Sequence, residues 1–213
     1  MAKKNLIKWN EFGRVMVFTP HLLGSIFNNI LFYLKSGVLL YPKGAGFIDA
    51  ANVIFSLRYL GWKIDYKKLY GFFRDNCHLQ DIYFYTSIRR DNKKDQQWVN
   101  MLRRFGYITK IRFLKLFNNN NKIELKGNLD GYIFIDALDK LDNYDTCFLF
   151  SGDSDFEVLI DYLREKNKQV IVCSCRKNCS WELRRKADKY LSLRYFRGLS
   201  EYKKTARDKP GTV

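Results

Sequence analysis

The sequence lacks several features that would point a first reading elsewhere. Met1-Ala-Lys-Lys runs on into Asn5, Lys8, Asn10 and Glu11, with no apolar stretch of the signal-peptide kind. The apolar segment from Leu22 to Tyr41 is broken by Asn28, Asn29, Lys35 and Gly37, too polar at its centre for a membrane span. The five cysteines are an odd number, which argues against a closed disulfide framework. Cys173, Cys175 and Cys179 give C-x-C-x₃-C, without the two-residue gaps of zinc knuckles. No repeat of solenoid period is present. These absences lead us to expect a reduced, cytoplasmic protein, not embedded in a membrane, whose cysteines mostly serve packing.

The 213 residues can bury a real hydrophobic core without staples. Hydrophobic residues at 46% and charged residues at 28% fit a globular chain and exclude a disordered or fibrous one. The formal net charge is +16, large enough to point to a polyanionic partner, with nucleic acid ahead of an anionic membrane. Basic residues outnumber acidic ones by five to one in residues 1–42, by 29 to 19 in 43–197 and by four to two from 198 onward. The basic character therefore belongs to the body of the protein and is not confined to a tail.

Three segments emerge. Residues 1–42 carry Leu22, Ile26, Ile30, Leu31 and Leu34 at helical spacing, read as an N-terminal helical extension that docks a partner or holds a homodimer. Residues 198–213 read as a basic, flexible tail. In 43–197, short apolar runs at Gly46–Asp49, Ile82–Ser87, Tyr107–Phe113, Thr146–Ser151, Gln169–Ser174 and Tyr190–Leu193 alternate with amphipathic stretches at Val53–Leu60, Tyr66–Asn76, Lys94–Phe105, Asp130–Leu141 and Asp155–Lys166. That alternation predicts an α/β fold, a Rossmann-like parallel sheet with helices on both faces. The asparagine run at 118–121 reads as a turn or exposed loop.

In an open parallel sheet, ligands bind beyond the carboxyl ends of the strands. FIDAAN at 47–52 places Asp49 at one such tip, with Asn52 opening the next helix. FLFSGDSDF at 148–156 places Ser151, Asp153 and Asp155 at another. Ser154 and Glu157 have capping-box spacing, which leaves Asp153 and Asp155 without an obvious structural duty. In KGNLDGYIFIDAL at 126–138, Asp130 shares the apolar face of Phe134, Ala137 and Leu141, whereas Asp136 lies off it and reads as a solvated or helix-bonding carboxylate. Clustered carboxylates repel unless a cation offsets them, and an oxygen-only set favours Mg²⁺ or Mn²⁺. Asp49, Asp130, Asp153 and Asp155 are thus the candidate metal-binding and catalytic residues. An acidic pocket on a basic protein suits metal-assisted cleavage of a phosphodiester.

These three motifs, in this order, resemble those of the NYN family, a branch of the PIN-like nucleases that includes the LabA-like proteins. The resemblance runs from about Gly46 to Leu193 and includes Ser180-Trp-Glu-Leu183 and Ala187-Asp188. It implies a PIN-type sheet, a divalent-metal site and RNA as substrate. By the same resemblance Asp49, Asp130 and Asp153 hold the metal, Asp155 binds it directly or through water, and Asn52 orients Asp49 or a phosphate. Ala50-Ala51 stands where Gly or Ser is frequent and Gly131 where a β-branched residue is usual, but neither departure removes a carboxylate.

For phosphate contacts the candidates are Arg89 and Arg90, at the end of the second strand, with Lys93, Lys94, Lys126 and Ser151. Arg103, Arg104, Lys110, Arg112 and Lys115 form a second basic group that reads as a solvated face. Tyr83, Tyr85, Trp98 and Tyr107 can stack bases, although alternating tyrosines in a strand more often pack. His21 and His78 are poor candidates for a general base, and water activated by metal suffices. The expected activity is metal-dependent RNA hydrolysis. The competing expectation is a catalytically silent RNA-binding or scaffold module, and a nucleotide-binding regulator is disfavoured because no glycine-rich loop follows the first strand.

Overall fold

The computed structural model describes residues 43–76, 79–119, 122–126 and 128–203, with backbone alone at 76, 80, 115–119 and 122–126. Residues 1–42 and 204–213, with the readings attached to them, lie outside the described residues, as do Cys77 and His78.

Six strands form one parallel sheet: β1 (Gly44–Asp49), β2 (Leu79–Ile88), β3 (Ile108–Phe113), β6 (Thr146–Phe150), β7 (Gln169–Ser174) and β8 (Lys189–Ser192). Their spatial order is β3-β2-β1-β6-β7-β8. β4 (Lys115–Asn119) and β5 (Lys122–Lys126) pair antiparallel as a separate two-stranded sheet, so Asn118 and Asn119, read from the sequence as part of a turn or exposed loop, belong to a strand; residues 120 and 121 lie outside the described residues. The helices are α1 (Ala50–Leu60), α2 (Tyr66–Asn76), α3 (Lys93–Phe105), α4 (Asp130–Asp139), α5 (Glu157–Glu165), α6 (Trp181–Lys186) and α7 (Arg197–Ser200).

The chain builds outward from β1 in one direction through β2 and β3, then returns to the other side of β1 and continues through β6, β7 and β8. Right-handed crossovers running in opposite directions place the two sets of helices on opposite faces. On one face Ile133, Ala137, Leu159, Ile160, Leu163 and Leu183 pack on Phe47, Tyr83, Tyr85, Leu149, Val170 and Val172. On the other, Phe73 meets Phe148, Phe150 and Phe196, while Tyr66, Trp98 and Tyr107 surround Phe84. Both faces being covered, β1, β6 and β7 are buried along almost their whole length, which accounts for their continuous apolar runs.

Helix boundaries follow local chemistry. Asp49 accepts from the Asn52 amide, so α1 starts at Ala50, three residues earlier than its apolar periodicity shows. Asn92 caps α3 by accepting from Lys94 and Asp95. Gly106 ends α3 at φ +106°, where the Tyr70 ring also lies in the space a Cβ would need.

Packing continues beyond residue 197. The Asp65 amide donates to Ser200 O (2.7 Å), the Tyr202 amide donates to Lys63 O (2.8 Å), and Glu201 bridges to Ile64. Residues 198–203 therefore join the folded body, and the sequence-based boundary at 197 falls within α7.

Candidate metal centre

β1 and β6 are hydrogen-bonded neighbours with Ile48 opposite Phe150, so Asp49 and Ser151 leave the sheet at one level. The winding direction reverses between these strands, and such a reversal opens a crevice at the carboxyl edge. Four short segments meet there.

Asp49 is held on both oxygens. Oδ1 accepts from the Asn52 amide (3.2 Å), and the Ser151 hydroxyl donates to Oδ2 (3.2 Å). The Ser151 oxygen in turn accepts from the Asp153 amide (3.3 Å). Asn52 Oδ1 accepts from the Gly152 amide (3.0 Å), tying α1 to the loop that follows β6. A Cβ on Gly152 would collide with the Asn178 carbonyl and stand 2.7 Å from Ser174 Oγ, so the close packing of the β7 loop requires glycine there.

Asp153 Oδ1 accepts from the Asp155 amide (3.2 Å) and caps the short turn at Ser154–Phe156. This corrects the capping-box reading: Asp153 is the cap, while Glu157 pairs with Lys186 (3.0 Å). Asp130 opens α4. Its amide donates to Asn128 Oδ1 (2.7 Å), and Arg112 of β3 donates to Asn128 O (2.6 Å), anchoring the approach to the helix.

The outcome is one acidic cluster. Asp130, Asp153 and Asp155 each present a carboxylate oxygen, and the three oxygens lie within 4.8 Å of one another. Burial first, then the charges of Asp153 and Asp155, raise the Asp130 carboxyl above its ordinary range. Burial also raises Asp49, against the pull of its hydrogen bonds, with the charge of Asp130 adding to the effect. Asp49 thus lies near Asp130, outside the group of three, fixed by Ser151 and the start of α1. An oxygen-only set of carboxylates whose ionisation is opposed by burial and mutual repulsion fits a hard divalent cation such as Mg²⁺ or Mn²⁺.

Asp136 departs from the sequence reading. It is 8% exposed, accepts from the Tyr85 hydroxyl (3.0 Å) and pairs with Lys110 Nζ (2.9 Å). The helix buries a wider arc than a single apolar stripe, because Tyr85 of β2 and Lys110 of β3 reach Asp136 from the sheet. Ile133 and Ala137, its neighbours in the sequence, are fully buried, and that was the available signal.

Arg89 and Arg90 do reach the carboxyl edge, after β2. Arg89 is engaged in a two-bond pair with Asp95 (both 3.0 Å), and the Arg90 guanidinium lies 4.9 Å from the Phe113 ring centre. Lys126 ends β5, and its side chain is outside the description. Lys110 and Arg112 of the second basic group have internal partners. Tyr83 stacks on Phe47 (5.3 Å), and Tyr85 is buried, so both pack. Trp98 and Tyr107 lie against Phe84. Cys147, Cys173, Cys175 and Cys179 are buried and unbridged.

The NYN domain matches residues 45–194, the span that holds every element of this site. The chain belongs to the NYN domain family. Among its relatives is the low amplitude and bright protein LabA of Synechococcus elongatus, 33% identical over 169 residues, covering 77% of this chain and 89% of LabA. A solved structure of a protein of unknown function from Vibrio parahaemolyticus superposes with a TM-score of 0.60 at 22% identity, over 72% of this chain and 93% of that one. This second likeness concerns the fold alone. Among the described residues, no helix of this NYN protein is long and apolar enough to cross a membrane.

Proposed function

We infer that this NYN protein is a divalent-metal-dependent ribonuclease that hydrolyses RNA phosphodiester bonds at the carboxyl edge of the sheet. The observation that carries the reading is the grouping of Asp130, Asp153 and Asp155 within 4.8 Å on a chain of net charge +16. Asp130, Asp153 and Asp155 hold Mg²⁺ or Mn²⁺, and Asp49 supports them. A divalent cation held there would supply Lewis-acid polarisation of the phosphate and of the attacking water. Ser151 fixes the Asp49 carboxylate and the Asp153 amide together, which sets the loop that presents Asp153 and Asp155. Asn52 secures the same loop at Gly152, so the chain's own contribution is a pre-organised carboxylate frame. Buried, unbridged cysteines accord with a cytoplasmic setting.

The test is cleavage of a mixed set of labelled RNAs in Mn²⁺, Mg²⁺ and EDTA, with Asp153→Asn beside the wild type. Metal-dependent cutting that disappears in the variant supports the enzyme. Salt-sensitive RNA binding without cutting by either protein would replace it with a silent binding module. Equal cutting by both would place the activity elsewhere.

A further inference from the structure

The sequence placed phosphate contacts at Arg89, yet that guanidinium is committed to Asp95. Other strong cations are committed too: Lys110 to Asp136, Arg164 to Asp188, and Lys186 to Glu157 and Asp161. Several described cations are exposed without an ion pair, among them Lys63, Lys93, Lys94 and Arg104, but Arg58, Arg176 and Lys177 come together in one region, α1 and the turn after β7. That region also exposes two large rings, Phe55 at 63% and Tyr59 at 51%. Lys177 Nζ sits 4.5 Å from the centre of the Tyr59 ring, joining the two segments.

The placement is continuous with the acidic cluster. Ala51, Phe55 and Tyr59 are all exposed and follow at steps of four residues, about 6 Å each along the helix axis. The stripe begins two residues after Asp49 and shares its helix with Asn52, which holds Gly152. The β7 turn is locked to the same loop: the Ser180 amide donates to Gly152 O (2.9 Å), and Asn178 Nδ2 donates to Ser56 Oγ (3.4 Å). Rings, cations and carboxylates are therefore held on one frame.

We propose that the Phe55–Tyr59 face of α1, with Arg58, Arg176 and Lys177, seats single-stranded RNA leading to the acidic cluster. The inference deepens the ribonuclease reading and rests on it for the identity of the polymer. Exposed rings interleaved with unpaired cations are complementary to unpaired bases on a polyanionic backbone, since stacking needs a free base face. Duplex RNA hides its base faces and is read by shape and 2′-hydroxyl contacts, which rings of this kind do not supply. A homodimer or other obligate interface would deplete charge at its centre, whereas here cations separate and flank the rings.

The test is fluorescence anisotropy in EDTA with a labelled oligouridine of about 12 nucleotides and an oligo(A)·oligo(U) duplex of the same length. Phe55→Ala/Tyr59→Ala weakens oligouridine binding about 10-fold or more and leaves duplex binding within about 2-fold. Phe55→Trp and Tyr59→Phe, which keep the ring faces, retain wild-type affinity. Lys177→Ala lowers affinity and reduces the salt dependence by about 0.7 in the log–log slope. Unchanged oligouridine binding by the double variant, with its melting temperature intact, overturns the proposal and leaves the face to a protein partner. An equal loss for both RNAs also overturns it. A wild type that binds through these rings yet cuts no RNA in Mn²⁺ refutes the ribonuclease reading alone. A wild type that cuts while its double variant binds as before refutes the RNA seat alone.

Discussion

Asp153→Asn is the sharpest perturbation of the site because it separates charge from structure. Asp153 caps the Ser154–Phe156 turn through Oδ1, and asparagine caps about as well as aspartate, so the turn survives the change. What disappears is one negative charge beside two others. At 4.8 Å, two unit charges repel by about 0.9 kcal/mol in a water-like dielectric and about 3.5 kcal/mol at an effective value of 20. Asp153 is exposed, which favours the lower figure for each neighbour, and the lost favourable interaction with the helix start takes back about 0.3–1 kcal/mol. The variant should therefore be about 1 kcal/mol more stable than the wild type in EDTA, a rise of about 2–4 °C in Tm for a chain of this size. Saturating Mn²⁺ reverses the order: at 100 times Kd the wild type gains about 2.7 kcal/mol, and the variant gains far less. The pH dependence has a definite sign. Asp49 and Asp130 titrate above the ordinary carboxylate value of 3.8, so just above that value the folded state binds more protons than the unfolded one. Stability in EDTA falls as pH rises through that window and is regained at neutral pH when Mn²⁺ is present. Differential scanning calorimetry of both proteins in EDTA and Mn²⁺, from acid to neutral pH, measures all of this. A variant that melts lower than the wild type in EDTA and keeps its Mn²⁺ response would refute the reasoning.

The other predictions concern the frame around the carboxylates. Ser151→Ala removes the donor to Asp49 and the acceptor for the Asp153 amide, and should cost about 1–3 kcal/mol in urea unfolding, with a weakened Mn²⁺ shift. Gly152→Ala drives a Cβ against the Asn178 carbonyl and should destabilise by about 1–3 kcal/mol, with loss of RNA cleavage. Asp136→Ala leaves the Tyr85 hydroxyl and Lys110 without their carboxylate. It should cost about 2 kcal/mol in urea, reduced from the fully buried case because Lys110 is partly exposed, while the Mn²⁺ shift of the folded protein stays as in the wild type. For a homodimer held by residues 1–42, light scattering after removal of that segment should show half the mass, and an unchanged mass would count against it.

The sheet was legible because parallel strands buried on both faces must be continuous apolar runs, and Gln169–Ser174 was bounded correctly from that alone. The acidic tips were legible for a related reason: a carboxylate directly after such a run has no core to enter and lies where the chain leaves the sheet. Asp136 was not legible. Its burial depends on Tyr85 and Lys110, residues 51 and 26 positions away, and a one-dimensional helical pattern carries no record of the strands that face it. The β4–β5 pair was hidden for a different reason: Asn118 and Asn119, poor strand formers, end β4, and among the described residues the two strands pair only with each other. The engagement of Arg89 turned on Asp95 lying within the first turn of the following helix, close enough in sequence to have been weighed as a partner.

Two of the four acidic residues carry a capping duty as well as a place in or near the cluster. Asp49 caps α1 and Asp153 caps the turn before α5, each spending one oxygen, Oδ1, on a backbone amide. A capping bond fixes the side-chain torsions, so the carboxylate is oriented before any cation arrives and the entropic cost of ordering it is already met in folding. Asp49 is then directed by Ser151 on its second oxygen, whereas Asp153 is exposed and presents a carboxylate oxygen to Asp130 and Asp155. The difference ranks them: the exposed carboxylate that is part of the cluster suits direct ligation, and the half-buried one bonded on both oxygens suits support. On that argument Asp153→Asn should abolish the Mn²⁺-induced rise in melting temperature, and Asp49→Asn, which keeps the capping acceptor, should reduce it without abolishing it. Equal abolition by both would place Asp49 among the direct ligands instead.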